Sequence, residues 1–199
     1  ILSHIHHAII RRVYELCLDE MTAEGMTMPD IRHCFLIMGS AGRREMLLQP
    51  DQDNGFIYEN FDDERQGEVD AFFVPFSEKL NMALDRVGYP LCDGGVMVRN
   101  SEWRGRLVDW QERINSWLLD PEPIHVRSSS IFFDFLPLMG DLELAHDLRE
   151  IVARGIETHQ GFLYHMMTLD LRYKVPLGLL GRFSVEKEGD NAGMLSVKY

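Results

Sequence analysis

Two aspartates stand two positions apart in residues 35–58, FLIMGSAGRREMLLQPDQDNGFIY, which end on the apolar run Gly55-Phe56-Ile57-Tyr58. On a strand, side chains at i and i+2 share a face, so Asp51 and Asp53 should project side by side. Adjacent carboxylates repel each other unless a cation lies between them. Hard oxygen donors in this number suit Mg²⁺, held by one or two carboxylates, several waters and substrate phosphates. Gly39-Ser40 opens the turn after the apolar run 35–38 and offers backbone N–H groups and a hydroxyl, which suit a phosphate. Together these residues imply one small site for a metal and a polyphosphate.

Further side chains can join that site. Arg43 and Arg44 follow the turn, and each guanidinium fork can meet a triphosphate or hold Glu45 or another acid as an ion pair. We assign Arg43 to the site and Arg44 to a surface pair. Asp134 lies in the otherwise apolar SSSIFFDFL, residues 128–136. A charge there is expensive without a partner, and the metal site is the obvious one; the alternative is an exposed position on an alternating strand. His4, His6 and His7 have no carboxylate at useful spacing and read as surface or packing residues.

The elements that must position these groups follow from periodicity. Ile5, Ile9, Val13 and Leu16 predict a helix over 2–22. Residues 35–38 and 55–58 predict strands around a short helix over 41–47. Val69 to Val87 form a helical face over 65–88, with a kink or break expected at Pro75. Residues 96–98 read as strand-like after the Gly94-Gly95 turn. Trp103, Leu107, Trp110, Ile114 and Trp117 predict one amphipathic helix. Residues 128–136 read as a third main strand. Asp141 reads as the N-cap of a helix through Val152, and a further helix is expected over 158–173 before Pro176 and Gly178. The tail 189–199 starts polar and glycine-containing and ends in Leu-Ser-Val-Lys-Tyr.

Gly39-Ser40 followed eleven residues after the serine by Asp51-x-Asp53 resembles the signature of the DNA polymerase beta-like nucleotidyltransferase superfamily. The fuller string GSAGRREMLLQPDQDNGFIY resembles bacterial nucleotidyltransferases often fused to CBS or cyclic-nucleotide-binding domains, which are related to the PII uridylyltransferase. The similarity continues at residues 92–100, CDGGVMVRN, with Trp103-Arg104, and at residues 133–141, FDFLPLMGD.

The resemblance implies an α+β (α/β) fold: a small mixed sheet flanked by helices, with helical N- and C-terminal segments. It implies an N-terminal helix and linker at 1–30, a nucleotidyltransferase core at 31–141, and at 142–199 the start of a helical substrate-binding domain. It implies Mg²⁺ or Mn²⁺ as cofactor, Asp51, Asp53 and Asp134 as catalytic metal ligands, and Gly39, Ser40, Arg43, Arg99 and Asn100 as nucleotide-binding residues. Arg99 and Asn100 also read as a plain surface turn. Relatives commonly carry an arginine two residues after the third aspartate; this chain has Leu136, so any charge from that position is absent.

The activity implied is transfer of a nucleoside monophosphate from a nucleoside triphosphate to a hydroxyl on a protein or small molecule, with pyrophosphate released, in signalling. The alternatives are a nucleotide-binding sensor with little turnover, reporting to regulatory domains N-terminal to this segment, and a purely structural interaction module.

Composition bounds these readings. A net charge of −12 argues against broad nucleic-acid binding, although a local basic patch at Arg43, Arg44, Arg99 and Arg104 remains open. The acid-rich run 59–70 reads as a solvated loop and helix start. No stretch approaches a membrane span. Cys17, Cys34 and Cys92 show neither a ligand pair nor a disulfide framework, which points to a reducing cytoplasm. The first residue is Ile and no signal-peptide pattern follows, as expected of a segment from a longer protein.

Overall fold

The computed structural model describes residues 1–46 and 50–171. Ile1–His159 form one compact unit and Gln160–Tyr199 another. In the first unit, β1 (His33–Ile37), β2 (Asn54–Tyr58), β3 (Arg104–Arg106) and β4 (Leu136–Gly140) form one sheet in the order β3-β2-β1-β4. β1 is antiparallel to both β2 and β4, and β2 is parallel to β3. The fold is α+β, as expected.

Both faces of the sheet are covered, which explains the unbroken apolar runs in β1 and β2. On one face Phe35, Ile37, Phe56, Tyr58 and Leu138 pack into one core with α1 (Leu2–Ala23) and α3 (Gln66–Arg86). Aromatic rings dominate it: Phe56 lies 5.3 Å from both Phe35 and Phe73. α4 (Leu107–Leu119) and α6 (Leu142–Thr158) pack against the other face. There Trp110 is fully buried, and its indole N–H donates to the Phe56 carbonyl at 2.9 Å. The N-terminal histidines serve packing: His6 Nδ1 meets the Tyr89 hydroxyl at 2.8 Å, and His7 Nε2 meets the Ala41 carbonyl at 3.3 Å.

Several elements differ from expectation. Residues 128–136 are not a strand. α5 (Pro123–Phe132) occupies most of that stretch, and the strand starts later, at Leu136. Pro123 is preset for a first helical turn, and Val126, Ser129 and Phe132 are buried at a helical spacing of three. The serine hydroxyls satisfy themselves inside the helix, Ser129 on Val126 and Ser130 on Arg127. Phe132 stacks on Trp110 at 4.5 Å.

α3 runs unbroken through Pro75. Pro75 and Ala71 both lie on the exposed face, so the carbonyl deprived of its donor can bond to water instead. The short helix after β1, α2, covers only Gly39–Gly42, because Arg44 turns left-handed (φ 62°) and ends it. Leu47, the far end of the expected helix, lies outside the described residues. Residues 96–98 are not a strand: Met97 lies in a bend and Val98 in a turn.

The tryptophan helix starts at Leu107. Trp103 sits in a 3₁₀ turn ahead of β3, and the Asp109 carboxylate accepts the Arg106 N–H at 2.8 Å, capping α4. Asp141 caps α6, accepting the Glu143 N–H at 2.9 Å. In the second unit, α7 spans Gly161–Asp170. Pro176, Gly178 and the tail lie outside the described residues, as does Tyr173.

Candidate active site

The site is built at the end of β1. Past Ile37 the antiparallel pairing with β2 continues for one more bond, from the Met38 N–H to the Asp53 carbonyl at 2.9 Å. This bond sets Asp53 opposite the start of α2. Gly39 has φ 53°, and a Cβ added there would lie 2.8 Å from Asp53 Oδ2. Glycine therefore serves twice: it takes the left-handed turn, and it leaves room for the carboxylate. β2 itself starts at Asn54, so Asp51 and Asp53 belong to the segment leading into the strand rather than to the strand.

Asp51 and Asp53 do converge. One oxygen of each and the Cys92 sulfur all lie within 4.8 Å of one another. The aspartates are half-buried and the cysteine is buried. Burial pushes the Cys92 thiol pKa up, and the neighbouring Asp53 charge, together with a hydrogen bond from the thiol to that carboxylate, pushes it further. The thiol is thus held neutral beside the acids. Cys92 opens the 92–100 motif but did not stand out as a ligand, since it lies about forty residues from the aspartates and pairs with no other cysteine.

The intervening residues of Asp51-Gln52-Asp53-Asn54 point inward and are pinned by a buried amide network. Asn81 of α3 is fully buried and donates to Gln52 Oε1 at 2.7 Å and to Asn54 Oδ1 at 3.1 Å. Gln52 Nε2 donates to the carbonyls of Asn81 and Tyr89, at 2.9 and 2.8 Å. The Arg99 N–H donates to Asn81 Oδ1, and the Val98 N–H to Asn54 Oδ1. The network fixes the acidic segment against α3 and the loop 89–100. The alternation of acid and amide was the available signal: period-two spacing sends Gln52 and Asn54 to the face opposite the aspartates.

Asp134 occupies the turn after α5, near the other end of α2. A Cβ on Gly42 would collide with the Asp134 carbonyl. Its carboxylate does not join the Asp51–Asp53–Cys92 group. Asp134 Oδ2 instead accepts from Arg43 Nη1 at 2.5 Å, while Arg43 Nε donates to Glu45 at 2.8 Å. Burial works against the Arg43 charge, but the bonds to Glu45 and Asp134 outweigh it and raise its pKa.

Arg99 and Arg104 are engaged too. Arg99 pairs with Glu78 at 2.9 Å, and Arg104 donates to the Val98 and Arg99 carbonyls. Asn100 Nδ2 donates to the Gly95 carbonyl at 2.6 Å, closing the Gly94-Gly95 turn. An open depression of about 480 Å³ is lined by residues 99–102 and Arg104. Its lining does not include the aspartates.

The arrangement has two converging carboxylate oxygens beside a glycine bend and a helix start, with the Arg43 guanidinium bound to Asp134 at the other end of that short helix. Paired carboxylate oxygens fit a hard divalent cation, which can in turn take phosphate oxygens as ligands. Among the described residues, no helix is long and apolar enough to cross a membrane.

No curated protein matches the chain. Residues 1–124, which contain β1, α2, the paired aspartates, Cys92 and the amide network, match the family described as Putative nucleotidyltransferase DUF294. That match covers more than half of the sequence, and the chain belongs to this nucleotidyltransferase family.

Proposed function

We propose that this protein moves a nucleoside monophosphate group from a nucleoside triphosphate to an acceptor hydroxyl on a protein or small molecule, releasing pyrophosphate. The observation that carries the proposal is the convergence of Asp51 and Asp53 beside Gly39. Mg²⁺ or Mn²⁺ held by these two carboxylates would supply the charge that neutralises the triphosphate. Gly39 and Ser40 present main chain and hydroxyl to the terminal phosphates, and the missing side chain at 39 lets the Asp53 carboxylate lie beside them. Arg43, Arg99 and Asn100 border the nucleotide, where a guanidinium fork suits phosphate oxygens.

In the reaction the acceptor oxygen bonds to the α-phosphorus as the bond to the β-phosphate bridge breaks. The electron pair leaves with pyrophosphate. The acceptor proton passes to solvent, since Arg43 holds the Asp134 carboxylate away from the acid pair. The chain mainly positions groups and balances charge. Cys17, Cys34 and Cys92 are free and buried, which supports a reducing cytoplasm as the setting. A signalling role, with regulatory domains preceding this segment, rests on the resemblance of the motif string alone.

One observation favours a second reading. With Asp134 taken by Arg43, the third carboxylate is away from the pair. A sensor that binds the nucleotide with little turnover would need no more than the pair. The full chain, incubated with Mg²⁺, labelled nucleoside triphosphates and cell lysate as acceptor source, separates these readings. Labelled acceptor and pyrophosphate, both lost in Asp53→Asn, support transfer. Mg²⁺-dependent thermal stabilisation by a nucleotide without pyrophosphate supports the sensor. Neither result in the presence of folded protein overturns both.

A further inference from the structure

The third potential ligand beside Asp51 and Asp53 is a sulfur, not an oxygen. This changes which cations the cluster can hold. Mg²⁺ demands oxygen donors and keeps its waters. Thiolate is a soft donor that selects Zn²⁺ and its thiophilic neighbours, and nitrogen, oxygen and sulfur sites in general bind Zn²⁺ far more tightly than the lighter hard ions. Two carboxylates and one cysteine supply three protein ligands, the number found in open zinc sites that leave a fourth position for solvent or substrate.

We propose that Asp51, Asp53 and Cys92 form a site for a thiophilic divalent cation, Zn²⁺ being the cellular candidate, which competes with Mg²⁺ and holds the nucleotide site in an inhibited state. The inhibitory part rests on the nucleotidyl-transfer reading; the binding part does not.

The geometry permits it with small adjustments. With Zn–O and Zn–S bonds of about 2.0–2.3 Å, tetrahedral donors lie about 3.5 Å apart. The three donor atoms already lie within 4.8 Å of one another, so rotation about the side-chain bonds can close the remainder. The backbone is braced on both sides. The Gln52 N–H donates to the Pro90 carbonyl at 3.3 Å and the Asn54 N–H to the Val96 carbonyl at 3.0 Å, tying the acidic segment to the loop that carries Cys92. Binding converts the Cys92 thiol to a thiolate bonded to the metal, and its proton goes to solvent. No electron is transferred and no further reactant is needed. The other cysteines, Cys17 and Cys34, are buried in the sheet and helix interior and belong to no such group among the described residues.

The test is titration of the full chain with Cd²⁺ under a phosphine reductant, reading the ultraviolet charge-transfer band of a cadmium–thiolate bond. One equivalent should produce the band, excess Mg²⁺ at cellular concentration should leave it in place, and Zn²⁺ should remove it by displacement. Cys92→Ser should abolish the band, and Asp53→Asn should weaken binding by tenfold or more, since even outer partners of a metal ligand are worth about 10–100-fold. Melting curves without metal check that each variant is folded; Cys92→Ala replaces the serine variant should that one fail to fold. No band in the wild-type chain, or a band retained in the folded Cys92 variant, overturns the proposal. A cadmium band in a protein that shows no Mg²⁺-dependent nucleotide binding sinks the transferase reading and leaves the metal site standing. Loss of nucleotide stabilisation on adding one equivalent of Zn²⁺ to the wild type, and its persistence in the Cys92 variant, identifies the cation as an inhibitor. The same nucleotide stabilisation with and without Zn²⁺ bound overturns the inhibitory part.

Discussion

Arg43 holds the carboxylate of Asp134 at 2.5 Å at the C-terminal end of the short helix whose first residue meets Asp53. Both side chains are more than a third exposed, so water and salt screen the pair and its worth to folding is small, about 0–1 kcal/mol. Arg43→Ala should therefore leave the denaturation midpoint nearly unchanged. If Arg43 leaves Asp134 for the triphosphate, the same variant should weaken nucleotide binding roughly tenfold or more, because charge-assisted bonds are worth about 1.5–3 kcal/mol. Urea unfolding and a nucleotide titration on one preparation read both quantities. A large stability loss with unchanged nucleotide affinity would make the pair structural.

The two glycines of α2 should respond differently to alanine. Gly39→Ala places a methyl group against Asp53 Oδ2 at a left-handed φ. It should cost about 1 kcal/mol in backbone strain, and its main effect should be on binding of Mn²⁺ at Asp51 and Asp53, read by paramagnetic resonance. Gly42→Ala drives a methyl group into the Asp134 main-chain carbonyl, which cannot swing aside as a side chain can. It should destabilise the fold more than Gly39→Ala does. Equal effects of the two variants on Mn²⁺ binding and on melting would contradict this assignment.

Asn81 should matter out of proportion to its distance from any ligand. Its side chain serves Gln52, Asn54 and the Arg99 amide at once, in a fully buried setting. Asn81→Leu strands those groups, at about 1–3 kcal/mol for each one left unpaired. Chemical denaturation should show a loss far beyond that of a surface substitution, and amide hydrogen exchange should rise first in the loop 89–100. A loss under about 0.5 kcal/mol, the range of surface substitutions, would show that the network relaxes onto other partners.

Stability should fall in mild acid. Burial lowers the pKa of His33, against the opposing effects of its bond to the Ile31 carbonyl and the charge of Asp141. Burial likewise lowers the pKa of His7, against its bond to the Ala41 carbonyl. A depressed histidine pKa means that the unfolded chain takes up protons that the folded chain refuses. The neutral form is therefore favoured above the unfolded value of about 6.5, and stability declines as pH drops through that value toward the lower folded ones. Urea midpoints at pH 7.5 and pH 5.5 should differ in that direction, and His33→Gln should shrink the difference. A flat profile across this window would mean that neither ring is protected from protonation.

The order of residues along the chain was enough to show a good deal. The apolar run 35–38, the glycine-serine turn and the acid pair are local patterns, and local sterics and alternation place them wherever the strand goes. That is why the neighbourhood of Gly39, Asp51 and Asp53 was legible, together with α1, the N-cap role of Asp141 and the family itself. Residues 128–136 were misread because a short apolar stretch suits a buried helix as well as a buried strand. The choice fell to the pocket beside Trp110, which Phe132 fills from a helix, and with it Asp134 moved from a strand to a turn.

What tertiary structure alone decided is which distant groups meet. Nothing within thirty residues of Asp53 announces that a cysteine at 92 will lie against it, or that Asn81 on α3 will brace the acidic segment from behind. Those meetings follow from strand pairing and helix docking over the whole sheet, and the energy that enforces them is spread through the aromatic core rather than written at the site. Local spacing sets which face a carboxylate takes; the packing of remote elements sets what stands opposite it.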